Sequence, residues 1–315
     1  MSVLTVKPSF PNHLMVETLI QQLQAGHHLA VMLDYDGTLT PIVSRPEEAQ
    51  LDTEGLQTLV DLATHPQIRL ALISGRSVEQ LQGFIHSILP QPILLAGLHG
   101  GQVWDALNNQ CLAEPDENLV NLKAQFLQDV YNHILTKYGE LPQGITFEEK
   151  GYSFALHYRL ADETTGLDVH QIFQNAFDLD AIVHNAFRIQ AGHSVIEIVP
   201  KPFNKGEGVR FCVDYWQKQD PKARLFPVFA GDDKTDEVGL KATLALGGAG
   251  IAVGVDPQEM LALKHEEQEA LWVLKDPAEM QSVLKALVQA LPSIENASNA
   301  LSPLLEERAR ERGGS

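Results

Sequence analysis

Six short apolar runs limit the folds open to this chain. Residues 29–33, 68–73 and 93–96 come first, separated by helical patterns at 54–63 and after Ser77-Val78-Glu79-Gln80, which has the form of a capping box. Residues 227–230, 250–253 and 271–274 follow much later, after a helical stretch that starts near Lys205. Strands with no polar alternation are covered on both faces, and strands alternating with helices build a parallel sheet. The runs therefore predict an α/β fold with a Rossmann-like parallel-sheet core.

Residues 102–196 break that pattern. Leu119, Leu122, Phe126, Val130 and Ile134 recur at helical spacing, and Gly139 is a natural stop. Alternation over 152–158 predicts a half-exposed strand, residues 167–176 a helix, and two strand runs flank the turn Ala191-Gly192-His193. We expect an inserted α+β domain at 102–196 that splits a core formed by 26–101 and 197–290. Residues 1–25 form an N-terminal extension and 291–315 a C-terminal tail that mixes acids and arginines.

Acids outnumber bases 41 to 23, a formal charge of −18. That excess excludes nucleic acid and anionic membrane as main partners, since phosphate-backbone binding needs clustered Lys and Arg. A small phosphorylated substrate needs only one or two basic groups and a metal. Cys111 and Cys212 lie far apart, which excludes a disulfide framework or structural zinc site. No stretch approaches the ~20 apolar residues of a membrane span, and the first twenty residues lack a secretory signal, so a cytoplasmic location is expected. His27, His28, His99, His157 and His193 form no metal-binding spacing, which leaves them capping or hydrogen-bonding roles.

Four clusters carry chemistry. Asp34-Tyr35-Asp36-Gly37-Thr38 leaves the first strand run, where open α/β sheets place their ligands. Gly231-Asp232-Asp233-Lys234-Thr235-Asp236 leaves another. Acids this close repel one another unless a positive charge sits among them, and a hard divalent cation with oxygen ligands supplies it. Macrodipole compensation at a helix start accounts for Asp236 and Glu237, but less well for the adjacent Asp232 and Asp233. Ser74-Gly75-Arg76 and Asn204-Lys205-Gly206 offer a hydroxyl and a lysine. Each is weak alone, but together they suit phosphoryl transfer, which needs positioning and electrostatic stabilisation above all.

In this order and combination, the four clusters resemble the motifs of the haloacid-dehalogenase-like phosphatases. Ala96-Gly97-Leu98-His99-Gly100, Glu148-Glu149-Lys150-Gly151, Leu156-His157-Tyr158-Arg159 and Val195-Ile196-Glu197-Ile198 narrow the resemblance to the trehalose-6-phosphate phosphatases, over about residues 29–274. The resemblance implies a C2-type cap as the insert. It implies Asp34 as nucleophile, Asp36 as general acid/base, and Ser74 and Lys205 as catalytic phosphate holders. Mg²⁺ would be held by the Asp34 carboxylate, the Asp36 carbonyl and Asp232, with Asp233 close by. Gly75, Arg76, Glu148, Lys150 and Glu197 match substrate-binding positions. The implied substrate is trehalose 6-phosphate, and a trehalose-6-phosphate synthase is the implied functional partner. Asn204 departs from the Ser or Thr commoner before the lysine. Sucrose 6-phosphate, mannosyl-3-phosphoglycerate and a non-catalytic sensor remain as rival readings. A panel of sugar phosphates separates the first two, and tight binding without phosphate release would mark the third.

Overall fold

The computed structural model describes residues 12–43, 45–192, 194–254 and 271–291. Its elements in chain order are α1 (Asn12–Gln24), β1 (His27–Leu33), α2 (Thr53–Thr64), β2 (Ile68–Ile73), α3 (Val78–Ile85), β3 (Ile93–Gly97), β4 (Gln102–Asp105), β5 (Gln110–Ala113) and α4 (Glu117–Tyr138). Then come β6 (Thr146–Lys150), β7 (Ser153–His157), α5 (Glu163–Leu179), α6 (Ala181–Ala186), β8 (Phe187–Gly192) and β9 (Val195–Pro200). The chain continues with α7 (Lys205–Gln219), β10 (Arg224–Gly231), α8 (Glu237–Ala245), β11 (Ala249–Val253), β12 (Leu271–Leu274) and α9 (Pro277–Ala290). Most of the expected tail, as well as His193, lies outside the described residues.

Residues 1–112 and 204–315 form one compact unit, and 113–203 a second. The expected insert limits thus fall within β4 and β9. Residues 102–112 group with the core because β4 pairs antiparallel with β3, Ala96 opposite Val103, and β5 extends the same sheet.

The core sheet runs β12-β11-β10-β1-β2-β3-β4-β5, and its first six strands are parallel. The apolar runs are strands for the physical reason given above: Leu29 to Leu33 of β1 are all buried, and so is every residue of β3 and β11. After β1 the chain adds β2 and β3 on one side, then returns to add β10, β11 and β12 on the other. The boundary between β1 and β10 is therefore the switch point where such sheets open a crevice. Ser77 and Gln80 close the capping box that starts α3, and Asp276 caps α9 with Pro277 in its first turn. Met15, Leu19 and Leu23 make an i, i+4, i+8 stripe on α1 and are buried in the same core as Met280, Leu284 and Leu287 of α9. Half of the expected N-terminal extension is thus a core helix.

The second unit is a four-stranded antiparallel sheet, ordered β6-β7-β9-β8, with α4, α5 and α6. Its core gathers Phe126, Phe154, Phe173, Phe177 and Phe187 with Val130, Ile134 and Ile196. Gly139, at φ 78°, ends α4 where the sequence places a stop. β7 departs from the half-exposed expectation. Ser153 to Leu156 are all buried, because β7 lies between β6 and β9 rather than at an edge.

Candidate active site

Asp34 follows β1 directly, and its backbone N–H donates to the Ala230 carbonyl of β10 at 2.9 Å. The chain stays extended long enough for alternation to act. Tyr35 turns into the core, fully buried, and its hydroxyl donates to the Ala49 carbonyl at 3.0 Å. Asp34 and Asp36 take the opposite direction. Gly37, at φ 77°, makes the turn that follows, and a Cβ there would fall on the Asp232 carboxylate. The glycine therefore meets two needs, the left-handed backbone and the approach of Asp232.

Lys205 opens α7, beneath the cap in which Asn204 accepts from the Glu207 N–H at 3.0 Å. Asn204 does the capping work that Ser or Thr would do. Gly206 lets the helix approach closely, since a Cβ there would lie 2.7 Å from the Val238 carbonyl oxygen. Lys205 is 3% exposed, and its ammonium sits 3.1 Å from Asp34 Oδ1 and 2.5 Å from Asp236 Oδ1. Asp236 Oδ2 accepts from the backbone N–H groups of Asp232 and Asp233, each at 3.1 Å. Asp236 is fully buried and ties the lysine to the loop after β10. As an acid near a helix start it reads as dipole compensation, and that reading is corrected here. The sequence signal for its role is its place in the Gly231 to Asp236 cluster of the family resemblance, four residues beyond Asp232.

Carboxylate oxygens of Asp34, Asp232 and Asp236 all lie within 4.8 Å of one another. Burial is the largest influence on each of the three and raises its pKa; Lys205 pulls the other way. Burial alone would lower the pKa of Lys205, but Asp34 and Asp236 outweigh it and raise it. Three carboxylates against one ammonium leave two negative charges uncompensated. An all-oxygen set with that deficit suits a hard divalent cation. Asp236 is already committed to three donors, so Asp34 and Asp232 are the carboxylates with capacity left for a metal.

The other predicted residues are placed as follows. Ser74 is buried at the end of β2, held by its N–H to the Ala96 carbonyl at 2.9 Å. Gly75 is exposed, with the His99 ring where its Cβ would be. Arg76 forks onto Asp36, with Nε 2.6 Å from Oδ2 and Nη2 2.5 Å from Oδ1. The Asp233 carboxylate turns back onto its own loop and accepts from the Thr235 N–H and hydroxyl and the Asp236 N–H. In the second unit, β-sheet register sets Glu148 and Glu197 on either side of Ala155. Glu148 Oε2 lies 2.9 Å from His157 Nε2, and Glu197 accepts from the Ser153 hydroxyl at 2.8 Å. Lys150 ends β6 opposite Ser153. The buried Lys123 of α4 donates to the Gly151 carbonyl at 2.6 Å and to Glu149 at 3.2 Å, anchoring the hairpin that carries Glu148.

Comparison with known proteins gives the family. The family model described as Trehalose-phosphatase matches residues 32–260. The chain belongs to the trehalose-phosphatase family. The trehalose-6-phosphate phosphatase of Escherichia coli (strain K12) is 30% identical over 286 residues, covering 88% of this chain and 93% of that protein. Trehalose-phosphate phosphatase B of Arabidopsis thaliana is 27% identical over 289 residues, covering 89% of this chain and 71% of that one. Among solved structures, the Aspergillus fumigatus trehalose-6-phosphate phosphatase aligns with a TM-score of 0.66 at 24% identity, covering 90% of this chain and 99% of that one. A haloacid dehalogenase-like hydrolase from Bacteroides thetaiotaomicron shares the fold at a TM-score of 0.52 and 14% identity. Among the described residues, no helix is long and apolar enough to cross a membrane.

Proposed function

We propose that this chain hydrolyses trehalose 6-phosphate to trehalose and inorganic phosphate, the last step in making the sugar, supplied by a trehalose-6-phosphate synthase. The observation that carries the reading is the convergence of Asp34, Asp232 and Asp236 on Lys205 where β1 and β10 end. Asp34 attacks phosphorus while the bond to the sugar oxygen breaks and Asp36 protonates that oxygen. Water then attacks the aspartyl-phosphate, and Asp36 takes its proton. Lys205 and Ser74 hold the phosphoryl oxygens. Asp34, Asp232 and the Asp36 carbonyl would hold Mg²⁺, with Asp233 beside them, and the ion supplies charge neutralisation between nucleophile and phosphate. Glu148, Lys150 and Glu197 bind the sugar hydroxyls as the insert acts as a cap.

The test is phosphate release from trehalose 6-phosphate, sucrose 6-phosphate, glucose 6-phosphate and mannosyl-3-phosphoglycerate, with Mg²⁺ and with EDTA. The expected result is EDTA-sensitive release with strong preference for trehalose 6-phosphate. Preference for another member would overturn the cap assignment. No release from any would overturn the reading, and with tight binding of trehalose 6-phosphate it would favour a non-catalytic sensor.

A further inference from the structure

We propose that Arg76 is the positioning residue for Asp36 and not a grip on the substrate phosphate. The inference rests on Asp36 being the acid/base. The family resemblance implies a substrate-binding side chain at Arg76, but the geometry assigns it elsewhere. Its guanidinium donates from two nitrogens to both Asp36 oxygens, at 2.6 and 2.5 Å. Such a fork fixes the plane of a carboxylate as well as its place, which a point charge does not do.

The fork is itself held. The Arg76 N–H donates to Ser74 Oγ at 3.3 Å. The guanidinium carbon lies 4.6 Å from the centroid of the Phe84 ring, and Phe84 stacks on Tyr35 with centroids 5.1 Å apart. Tyr35 is fixed in turn by its bond to Ala49. The residue just before Asp36 and the residue that orients its side chain therefore both pack on the Phe84 ring. The side chain of Arg76 is 11% exposed and that of Asp36 35%. A carboxylate that open, one step before a glycine turn, has several rotamers to sample. Arg76 selects one rotamer of the ionised carboxylate. For the first step one of the two bonds opens, so that the oxygen it frees takes up a proton from solvent and gives it to the leaving oxygen, which requires hydrogen-bond reach.

The two roles differ in leaving-group dependence. A sugar alkoxide needs a proton as the phosphorus–oxygen bond breaks; p-nitrophenolate leaves without one. A phosphate grip serves both substrates alike. The experiment measures kcat/KM, which reports the steps through leaving-group departure, for trehalose 6-phosphate and for p-nitrophenyl phosphate. The proteins are the parent, Asp36→Asn, Arg76→Ala, Arg76→Lys and the double variant Asp36→Asn/Arg76→Ala. Arg76→Ala should lose about 100-fold or more on the sugar phosphate, as loss of a placed acid does, and only about five-fold on the aryl phosphate, where no acid is called on. Arg76→Lys should fall between parent and Arg76→Ala on the sugar phosphate. The double variant should match Asp36→Asn to within about two-fold, because residues acting as one unit are not additive. Equal losses on both substrates in Arg76→Ala, with Asp36→Asn still selective, overturn the proposal alone. An even-handed loss in Asp36→Asn overturns the acid/base reading and the proposal with it. Should Arg76→Ala fail to fold, Arg76→Lys and Arg76→Gln carry the same comparison.

Discussion

Phe126→Ala should uncouple the cap from the chemistry. Phe126 is 1% exposed and packs on three rings, with centroids 5.4 Å away at Phe173, 5.9 Å at Phe154 and 6.1 Å at Phe177. No neighbouring element is free to fill the gap, since all three partners are themselves buried. Removing a ring in such a setting costs about 3–5 kcal/mol. A unit of roughly 90 residues has a total stability on the order of 5–14 kcal/mol, so the loss is a large share. At about 4–8 °C per kcal/mol for a domain of that size, a loss near 4 kcal/mol lowers the cap transition by roughly 15–30 °C. Differential scanning calorimetry should show that transition moving down while the core transition stays within a few degrees. Above the new cap transition, hydrolysis of trehalose 6-phosphate should vanish while p-nitrophenyl phosphate is still turned over, since Asp34, Asp36, Ser74, Lys205 and Asp232 all belong to the other unit. A shift below about 5 °C would refute the packing estimate. Parallel loss of both activities would refute the division of labour.

Three further outcomes are expected. Asp34→Asn should abolish turnover, a drop of about 10³-fold or more, with an unchanged circular dichroism spectrum, because the amide is nearly isosteric but a poor nucleophile. Glu148→Ala and Lys150→Ala should raise KM for trehalose 6-phosphate and barely alter p-nitrophenyl phosphate hydrolysis; equal effects in steady-state kinetics would place both residues with the core chemistry. Gly37→Ala should cost only about 1–2 kcal/mol of stability from its left-handed backbone. It should nevertheless lose activity steeply in Mg²⁺ titrations, because the added methyl displaces Asp232; full activity with wild-type metal dependence would rule that out.

The core was legible in the sequence because parallel strands are buried on both faces. Runs such as 29–33 and 68–73 then stand out with no need for register, and a carboxylate pair after the first of them marks the site. Local end signals were legible too, as at Ser77 and Gly139. What was missed depends on contacts distant in sequence. Asp236 meets Lys205 from 31 residues away, and a helix-end acid explains its presence equally well in sequence. Arg76 reaches Asp36 across 40 residues, so in sequence it is only a match to a substrate-binding position. The burial of β7 follows from having neighbours on both sides, which alternation within one strand does not reveal. For α1, a three-residue apolar stripe ahead of the first strand gave no sign of the α9 surface that covers it. The sequence groups Glu148 and Lys150 by proximity, but their relation to Glu197 is set by strand register alone.

Strand order also dictates when each part of the molecule can exist. All seven elements of the cap are contiguous between Glu117 and Pro200, so this unit is complete on the ribosome as soon as residue 203 emerges. The core is not. β1 is its central strand, yet its β10 neighbour begins at Arg224. At about 5–20 residues per second, roughly 10–40 s separate the synthesis of Leu33 from that of Gly231. Through that interval one edge of this largely buried strand has no partner from its own chain, the kind of edge that pairs with other chains. Asp34 waits as long for Asp232 and Asp236, and somewhat less long for Lys205. A nascent chain stopped between residues 203 and 231 therefore carries a finished second unit, a nucleophile without Asp232 and Asp236, and an open sheet.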